Sequence, residues 1–302
     1  MLLEDLLQEF IFDCRLRKLS ERTIKTYHNN LARFFEILDQ ELEIKKLAQL
    51  KAPVIKWYIH YMTERGNKET YINGVLKLIR TFFLYCEQEE YIIVNPMDKI
   101  RFQKEPIPLI ETFNDAEVRR MIRYYDGKKF LDVRNKLIMI LLLDTGIRNH
   151  EICKLKVEDI RDTYILINGK GKKQRAVPIT PIVNKQLIKY NRIRDEYIEG
   201  KFHYDTDYLL LSQKGKKLTI ETIERIVKSC GEACKVREGI RISPHTCRHY
   251  FAQAQLKNGC DLYTLSRLLG HSKVDITKVY LRSMNNDDFL DIAVGTSPLM
   301  NL

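Results

Sequence analysis

The chain has 302 residues, of which 44% are hydrophobic and 30% are charged, and it carries a formal net charge of +11. This composition excludes a disordered or fibrous chain, and the length predicts two domains. Residues 1–100 contain 15 basic and 15 acidic side chains, so the whole positive excess lies in residues 101–302. Such an excess favours a polyanionic partner, either nucleic acid or an acidic membrane surface.

Membrane insertion is not expected from the apolar patterning. The longest apolar run, residues 137–143, is far shorter than the ~20 residues that span a bilayer. The N-terminus is acidic where a secretory signal is basic, so a cytoplasmic location without membrane association is predicted. The seven cysteines show no CxxC zinc spacing, and we expect reduced thiols.

The first hundred residues have helical periodicity. Apolar residues recur every three to four positions over residues 24–38, and Ser20 is placed to cap the helix that carries them. Similar patterns over residues 54–62 and 71–85 predict two more helices, and Asn95-Pro96 ends the series. A helical domain is therefore predicted over residues 1–100.

A linker is predicted at residues 101–112, because Pro106 and Pro108 disfavour a helix there. Asn114 and Glu117 then have the spacing of a capping box, which predicts a new helix. The second domain is predicted over residues 113–302.

The second domain is predicted to be mostly helical with a small antiparallel sheet. The apolar helix over residues 137–143 ends at Gly146, which suits the left-handed position after a helix. Residues 164–167 and 175–179 predict a β-hairpin with a basic, turn-rich tip between them. Helical patterns then continue almost to the end of the chain.

Four segments, in this order, resemble the boxes of the tyrosine recombinase (phage integrase) family. They are TGIRNHE at residues 145–151, GKGKKQR at 169–175, SPHTCRHYFA at 243–252, and LLGHS at 268–272 followed by Tyr280. Residues 20–35 are also similar to the family's N-terminal core-binding domain. The resemblance thus covers almost the whole chain and implies a SAM-like helical domain plus an α/β catalytic domain, forming a C-shaped clamp on DNA.

The resemblance implies a six-residue catalytic set. Its residue types suit phosphoryl transfer: two guanidiniums can bind the nonbridging phosphate oxygens, and a tyrosine can form a covalent intermediate. Because that intermediate conserves the phosphodiester energy, no nucleotide triphosphate is needed. The sequence shows neither the acidic cluster of two-metal nucleases nor a GxxxxGK(S/T) loop, so no metal or other cofactor is expected. The predicted catalytic residues are Arg148, Lys170, His245, Arg248, His271 and Tyr280.

Individual roles follow from the family pattern. Tyr280 is the predicted nucleophile, and Lys170 on the hairpin is predicted to protonate the leaving 5′ oxygen. His245 is expected to accept the tyrosine proton or to hydrogen-bond the phosphate, and His271 to donate to a nonbridging oxygen. Glu151 is predicted to support the site, whereas His249 is expected to face another side of its helix from Arg248 and to pack.

The expected partner is double-stranded DNA, held by a homotetramer on two recombination sites, with an accessory protein possible. Residues 287–302 are a candidate for contacts between protomers, with folding back onto their own core as the alternative. Residues predicted to contact DNA are Lys172, Lys173, Arg175, Arg22 and Lys25.

Two other functions share this pattern: a type IB topoisomerase and a DNA-binding accessory regulator on the same fold. The recombinase-like N-terminal domain disfavours the first, and the complete catalytic set disfavours the second. Departures from a housekeeping Xer protein at Asn149-His150 and Thr246-Cys247 favour a recombinase of a mobile element.

Overall fold

The computed structural model describes residues 1–106, 109–169, 174–199 and 203–296. The chain divides into two compact units, Met1–Ile107 and Pro108–Leu302. The division lies within the stretch that the sequence assigned to a linker. No helix in the described ranges is long and apolar enough to cross a bilayer.

The first unit is helical, as predicted. Ser20 caps the helix Glu21–Leu42 by accepting a hydrogen bond from the backbone N–H of Thr23 at 3.2 Å, which confirms the predicted start of that helix. The first helix was not predicted, although Leu3, Leu6 and Phe10 bury one of its faces. The helices of the first unit are α1 (Leu3–Leu16), α2 (Glu21–Leu42), α3 (Ala52–Glu64) and α4 (Glu69–Gln88), with 3-10 turns at Leu47–Gln49 and Pro96–Lys99.

An aromatic core fixes these helices against one another. Phe10 of α1, Phe34 of α2 and Phe82 of α4 are fully buried, and the rings of Phe10 and Phe82 meet edge to face with centroids 5.7 Å apart. Such packing holds a helix rigidly and leaves its opposite face free. On α2 that free face carries Arg22 and Lys25, both exposed.

Residues near both ends of the predicted linker are anchored by hydrogen bonds. The buried side chain of Asn73 in α4 accepts from the backbone N–H of Gln103 and donates to its carbonyl, both at 2.9 Å. In the second unit, the Thr112 hydroxyl donates to the carbonyl of Thr246 at 3.0 Å. Thr112 therefore belongs structurally to the second unit.

The second unit combines many helices with one hairpin, which confirms the predicted fold class. Strands β1 (Tyr164–Asn168) and β2 (Gln174–Pro178) pair antiparallel, with Ile167 opposite Arg175. The helices are α5 (Asp115–Tyr124), α6 (Phe130–Thr145), α7 (Asn149–Ile152), α8 (Pro181–Ile198), α9 (Ile220–Ala233), α10 (Pro244–Lys257), α11 (Leu262–Leu269), α12 (Asp275–Lys278) and α13 (Asn286–Gly295), with 3-10 turns at Val157–Asp159 and Val279–Ser283.

Local sequence explains where the important helices begin and end. Asn114 and Glu117 form the predicted capping box at the start of α5. Gly146 ends α6 with φ +59°, and Gly270 ends α11 with φ +64°. A side chain is disfavoured at both positions, where glycine carries no penalty.

The nucleophile candidate lies in a small apolar cluster beside the main core. Helix α6 is buried along most of its length and forms the centre of that core. The ring of Tyr280 instead packs with Phe251 of α10 and with Leu265 and Leu269 of α11. Tyr280 is thus held between α10, which carries His245 and Arg248, and α11, which ends just before His271.

Candidate active site

Arg248 is held at the centre of the site by main-chain carbonyls. It lies in α10, only 5% exposed, and its guanidinium donates to the carbonyl of Gly146 and, at 2.6 Å, to that of Leu269. Burial, together with the charges of Arg148 and Arg175, lowers the pKa of Arg248 to about 9. A bound anion would relieve this crowding of positive charge.

Arg148 sits at the start of α7, with its side chain partly open to solvent. Its guanidinium donates to Glu151 Oε1 and to the carbonyl of Gly270, each at 3.0 Å. The two predicted phosphate-binding arginines are thereby brought to the same place by carbonyls of neighbouring residues. A pair of guanidiniums so placed can bind two oxygens of one phosphate.

The end of α11 orients three arginines. Leu268, Leu269 and Gly270 carry successive carbonyls that accept from Arg175, Arg248 and Arg148, respectively. The last carbonyls of a helix have no partner within it and carry the negative end of its dipole. The helix end therefore attracts and aligns the cations of the site.

Glu151 binds Arg148 and Arg175 together, which confirms its predicted supporting role. Its side chain is 1% exposed and lies 2.7 Å from Arg175 Nη2. Burial acts to raise the pKa of Glu151, but hydrogen bonds and charge from Arg175, joined by hydrogen bonds from Arg148, lower it to about 2. Glu151 is thus ionised at neutral pH and balances part of the positive charge.

Arg175 has protein partners on all three guanidinium nitrogens. Nη1 and Nη2 donate to Glu151 at 2.9 and 2.7 Å, and Nε donates to the carbonyl of Leu268 at 2.7 Å. Arg175 thereby ties the base of the hairpin to Glu151 and α11, and its DNA contact stays a prediction.

The predicted lysines at the hairpin tip, Lys170, Lys172 and Lys173, lie outside the described residues. The strands on either side of the tip are paired up to Asn168 and Gln174, which form the last pair of the ladder. The roles of the three lysines stay predictions. The same holds for Arg22 and Lys25, which are exposed on the other unit.

His271 contacts Arg248. Its Nε2 lies 3.1 Å from Arg248 Nη2, and its Nδ1 lies 2.8 Å from the hydroxyl of Thr277. Because a guanidinium only donates, Nε2 accepts, which assigns the ring proton to Nδ1. Burial first, and then the charges of Arg248, Arg148 and Arg175, lower the pKa of His271 to about 4, so the ring is neutral at pH 7.

Tyr280 contacts a histidine other than the predicted one. Its hydroxyl oxygen lies 3.0 Å from Nδ1 of His249. His249 packs against the Tyr280 ring, as expected of a residue on another side of α10 from Arg248, but its contact with the hydroxyl was not predicted. His245 and His249 are four residues apart and share a face of the helix. His245, one turn earlier, is exposed.

Burial raises the pKa of Tyr280, while the charges of Arg248 and Arg148 lower it in part. Tyr280 is 4% exposed. Its hydroxyl is therefore protonated at neutral pH. The charges of both arginines that can bind a phosphate act on this hydroxyl.

Two departures from the Xer pattern have packing roles. Asn149 is buried and donates to the carbonyl of Ile220 at 3.3 Å, and Cys247 is completely buried in the main core.

Among the residues that the structure describes, no three His, Cys, Asp or Glu side chains are grouped as a metal site requires.

Comparison with protein families assigns both parts of the chain. Residues 111–287 match the phage integrase family, and residues 6–93 match the N-terminal SAM-like domain of phage integrases. The chain belongs to the phage integrase family. The first match covers the arginines, histidines and tyrosine described above.

Among relatives, the tyrosine recombinase XerC of Thermodesulfovibrio yellowstonii is 32% identical over 266 residues, covering 86% of this chain and 85% of the relative. The XerH site-specific recombinase bound to a palindromic difH substrate shares the fold with a TM-score of 0.74 at 20% identity, covering 94% of this chain and 82% of that one. The Tn1549 transposon integrase with transposon right-end DNA gives 0.68 at 20%, covering 98% and 100%. These findings support the function of a site-specific tyrosine recombinase.

Proposed function

We propose that this protein cuts and rejoins double-stranded DNA through a covalent bond between Tyr280 and a 3′ phosphate. The observation that carries the proposal is the position of Tyr280, whose hydroxyl contacts His249 at 3.0 Å and lies within the electrostatic reach of Arg148 and Arg248. Nucleophile and phosphate-binding cations thus belong to one site, in a chain of the phage integrase family.

The chemistry follows from these side chains. Arg148 and Arg248 bind the nonbridging oxygens and stabilise the charge that develops on them in the transition state. Tyr280 gives its hydroxyl proton to a histidine of α10 and attacks phosphorus, the bond to the 5′ oxygen breaks, and Lys170 supplies the proton to that oxygen. The phosphotyrosyl ester conserves the energy of the broken bond, and the 5′ hydroxyl of a second strand reverses the step.

A nicked substrate tests the covalent step. The nick makes the fragment with the new 5′ hydroxyl short, so that it diffuses away after cleavage. The strand then cannot be rejoined, and the protein stays attached to DNA. Wild type should accumulate this adduct and Tyr280→Phe should not. Tyr263→Phe is the control, because Tyr263 lies on the neighbouring α11 and is 64% exposed. Adduct formation by Tyr280→Phe at the wild-type rate would refute the proposal.

Strand exchange between two DNA sites distinguishes a recombinase from a type IB topoisomerase. A topoisomerase relaxes supercoiled DNA and reseals the same strand, whereas a recombinase joins strands of two sites through a Holliday junction. We propose the recombinase, supported by the SAM-like N-terminal match. Branched junctions should therefore accumulate when two cognate duplexes are supplied.

Assembly of a tetramer is supported by α13. Its residues Phe289, Leu290 and Val294 are 47%, 64% and 62% exposed, and none of its residues is buried. An apolar helix face left open on one protomer suits a contact with another. We therefore favour contacts in trans for this part of residues 287–302, and Leu299 lies outside the described residues.

The biological setting stays a prediction. The relatives include XerC proteins, while the solved structures with the same fold include a transposon integrase. A mobile element fits the second comparison, and recombination sites in the DNA that flanks the gene test it.

A further inference from the structure

His249 is the histidine nearest to the reactive oxygen of Tyr280. Its Nδ1 lies 3.0 Å from the hydroxyl oxygen, and the two rings are tilted by 54° with centroids 5.7 Å apart. This distance is that of a direct hydrogen bond, with no room for a bridging water. The contact joins residues 31 positions apart, so the packing of Val279–Ser283 against α10 creates it.

Attack by Tyr280 requires that its hydroxyl lose a proton. Burial favours the protonated phenol, so a proton acceptor must contact the oxygen when the bond to phosphorus forms. A neutral imidazole with an unprotonated nitrogen can serve. Burial first, and then His245 and Arg248, lower the pKa of His249 to about 4, which keeps the ring neutral at pH 7.

The position on α10 separates His249 from His245. His245 is exposed near the start of the helix, whereas His249 lies one turn deeper and is half-buried. Only for His249 does the structure record a contact with the Tyr280 hydroxyl among the described residues. The sequence pattern had assigned proton acceptance to His245 as one of two options.

We propose that His249 is a catalytic residue whose Nδ1 accepts the proton of Tyr280. As the tyrosine oxygen bonds to phosphorus, its proton moves to Nδ1 and the bond from phosphorus to the 5′ oxygen breaks. That oxygen takes its proton from a separate acid, for which Lys170 is the candidate. In the rejoining step the attacking 5′ hydroxyl gives its proton back to that group, now acting as a base, and the imidazolium returns its proton to the departing tyrosine oxygen. This inference rests on the proposed function.

Two variants separate proton transfer from simple positioning. His249→Phe keeps a ring and removes both nitrogens. His249→Asn places an amide near the position of Nδ1, where it can hydrogen-bond Tyr280 but cannot take its proton. His60→Asn is the control, because the His60 side chain is 72% exposed in the other unit. Circular dichroism and a DNA-binding assay verify that each variant folds.

The substrate is a nicked duplex made in two forms, with oxygen or sulfur at the bridging 5′ position. A thiolate leaves without needing a proton, so sulfur restores cleavage to a variant that lacks the acid and does not restore it to one that lacks the base. Adduct formation is followed in a single turnover for wild type, the two His249 variants and Lys170→Ala.

Both His249 variants should form adduct about 100-fold more slowly than wild type or worse, on either substrate. Wild-type rates for His249→Asn would overturn the inference, because a hydrogen bond alone would then suffice. Rescue of the His249 variants by sulfur would also overturn it, because His249 would then act on the leaving group. If His249→Phe does not fold, His249→Asn decides. Absence of adduct with wild type would instead contradict the proposed function.

Discussion

Arg175 and Glu151 form a two-pronged ion pair, with Nη1 to Oε1 at 2.9 Å and Nη2 to Oε2 at 2.7 Å. The carboxylate also accepts from the side chain and the backbone N–H of Arg148. A single buried acid thus positions one predicted phosphate-binding arginine and the base of the hairpin. The catalytic domain depends on this pair for the alignment of its positive charges.

Removal of that charge should damage both stability and activity. In Glu151→Gln, two arginines lose a buried counter-ion, and we expect a loss of about 3 kcal/mol in the free energy of unfolding. Adduct formation should fall as Arg148 loses its alignment. Urea denaturation and the nicked-substrate assay measure the two effects. Glu158→Gln is the control, because Glu158 is 70% exposed in its pair with Lys156, and the two variants behaving alike would contradict the account.

Gly146 should tolerate no side chain. Its φ is +59°, and an added Cβ would lie 2.4 Å from the ring of Phe251. Gly146→Ala should therefore cost about 1–3 kcal/mol more than Gly259→Ala, because Gly259 has the similar φ of +85° but no atom within 4 Å of the added Cβ. The comparison isolates the close approach from the backbone strain. If urea denaturation gave equal losses of unfolding free energy for the two variants, the close packing of Gly146 against Phe251 would be contradicted. Gly146 is the residue whose carbonyl accepts from Arg248.

Stability should decrease as the pH falls from 6.5 towards 4. His249 and His271 have folded pKa values of about 4, below the ordinary value near 6.5, so the unfolded chain binds protons first. The stability that the two neutral histidines contribute is fully present above pH 6.5 and is lost progressively as the pH falls towards 4. The pKa of Glu151 is about 2, so the stability that its ionised form contributes is lost only at pH values below the ordinary pKa of glutamate.

Urea denaturation at pH 7 and pH 5 checks this sign. The double variant His249→Phe, His271→Gln should lose less stability between the two pH values than wild type does. An identical loss in the two proteins would show that these histidines keep ordinary pKa values.

An acidic residue on α13 should impair assembly without impairing the fold. Leu290→Asp should bind a single DNA site like wild type but should recombine at least about tenfold less, because an apolar contact between protomers gains a charge. Ile188→Asp on α8 is the matched control, since Ile188 is 65% exposed and Leu290 is 64% exposed. Gel shifts and a plasmid recombination assay measure the two properties. Full recombination by Leu290→Asp would contradict contacts through α13.

Local signals explain what could be predicted. The caps at Ser20 and Asn114 and the helix stop at Gly146 depend on neighbouring residues, and all three are present. The carbonyl of Gly270 lies 122 positions from Arg148, so no local pattern could reveal that it orients this arginine. The ion pair of Arg175 with Glu151 was not predicted for the same reason, since the two residues are 24 positions apart.

One missed relationship was visible in the sequence. His245 and His249 have the four-residue spacing of a shared helix face. Only the fold shows that this face meets Tyr280, because the 3-10 turn Val279–Ser283 brings the tyrosine to α10.

Mapping the attached residue tests the central claim most directly. The adduct trapped on a nicked substrate is digested with nuclease and protease, and the modified peptide is sequenced by mass spectrometry. The nucleotide remnant should be found on Tyr280. A remnant on any other residue, including Tyr250, which follows His249 in α10, would contradict the account.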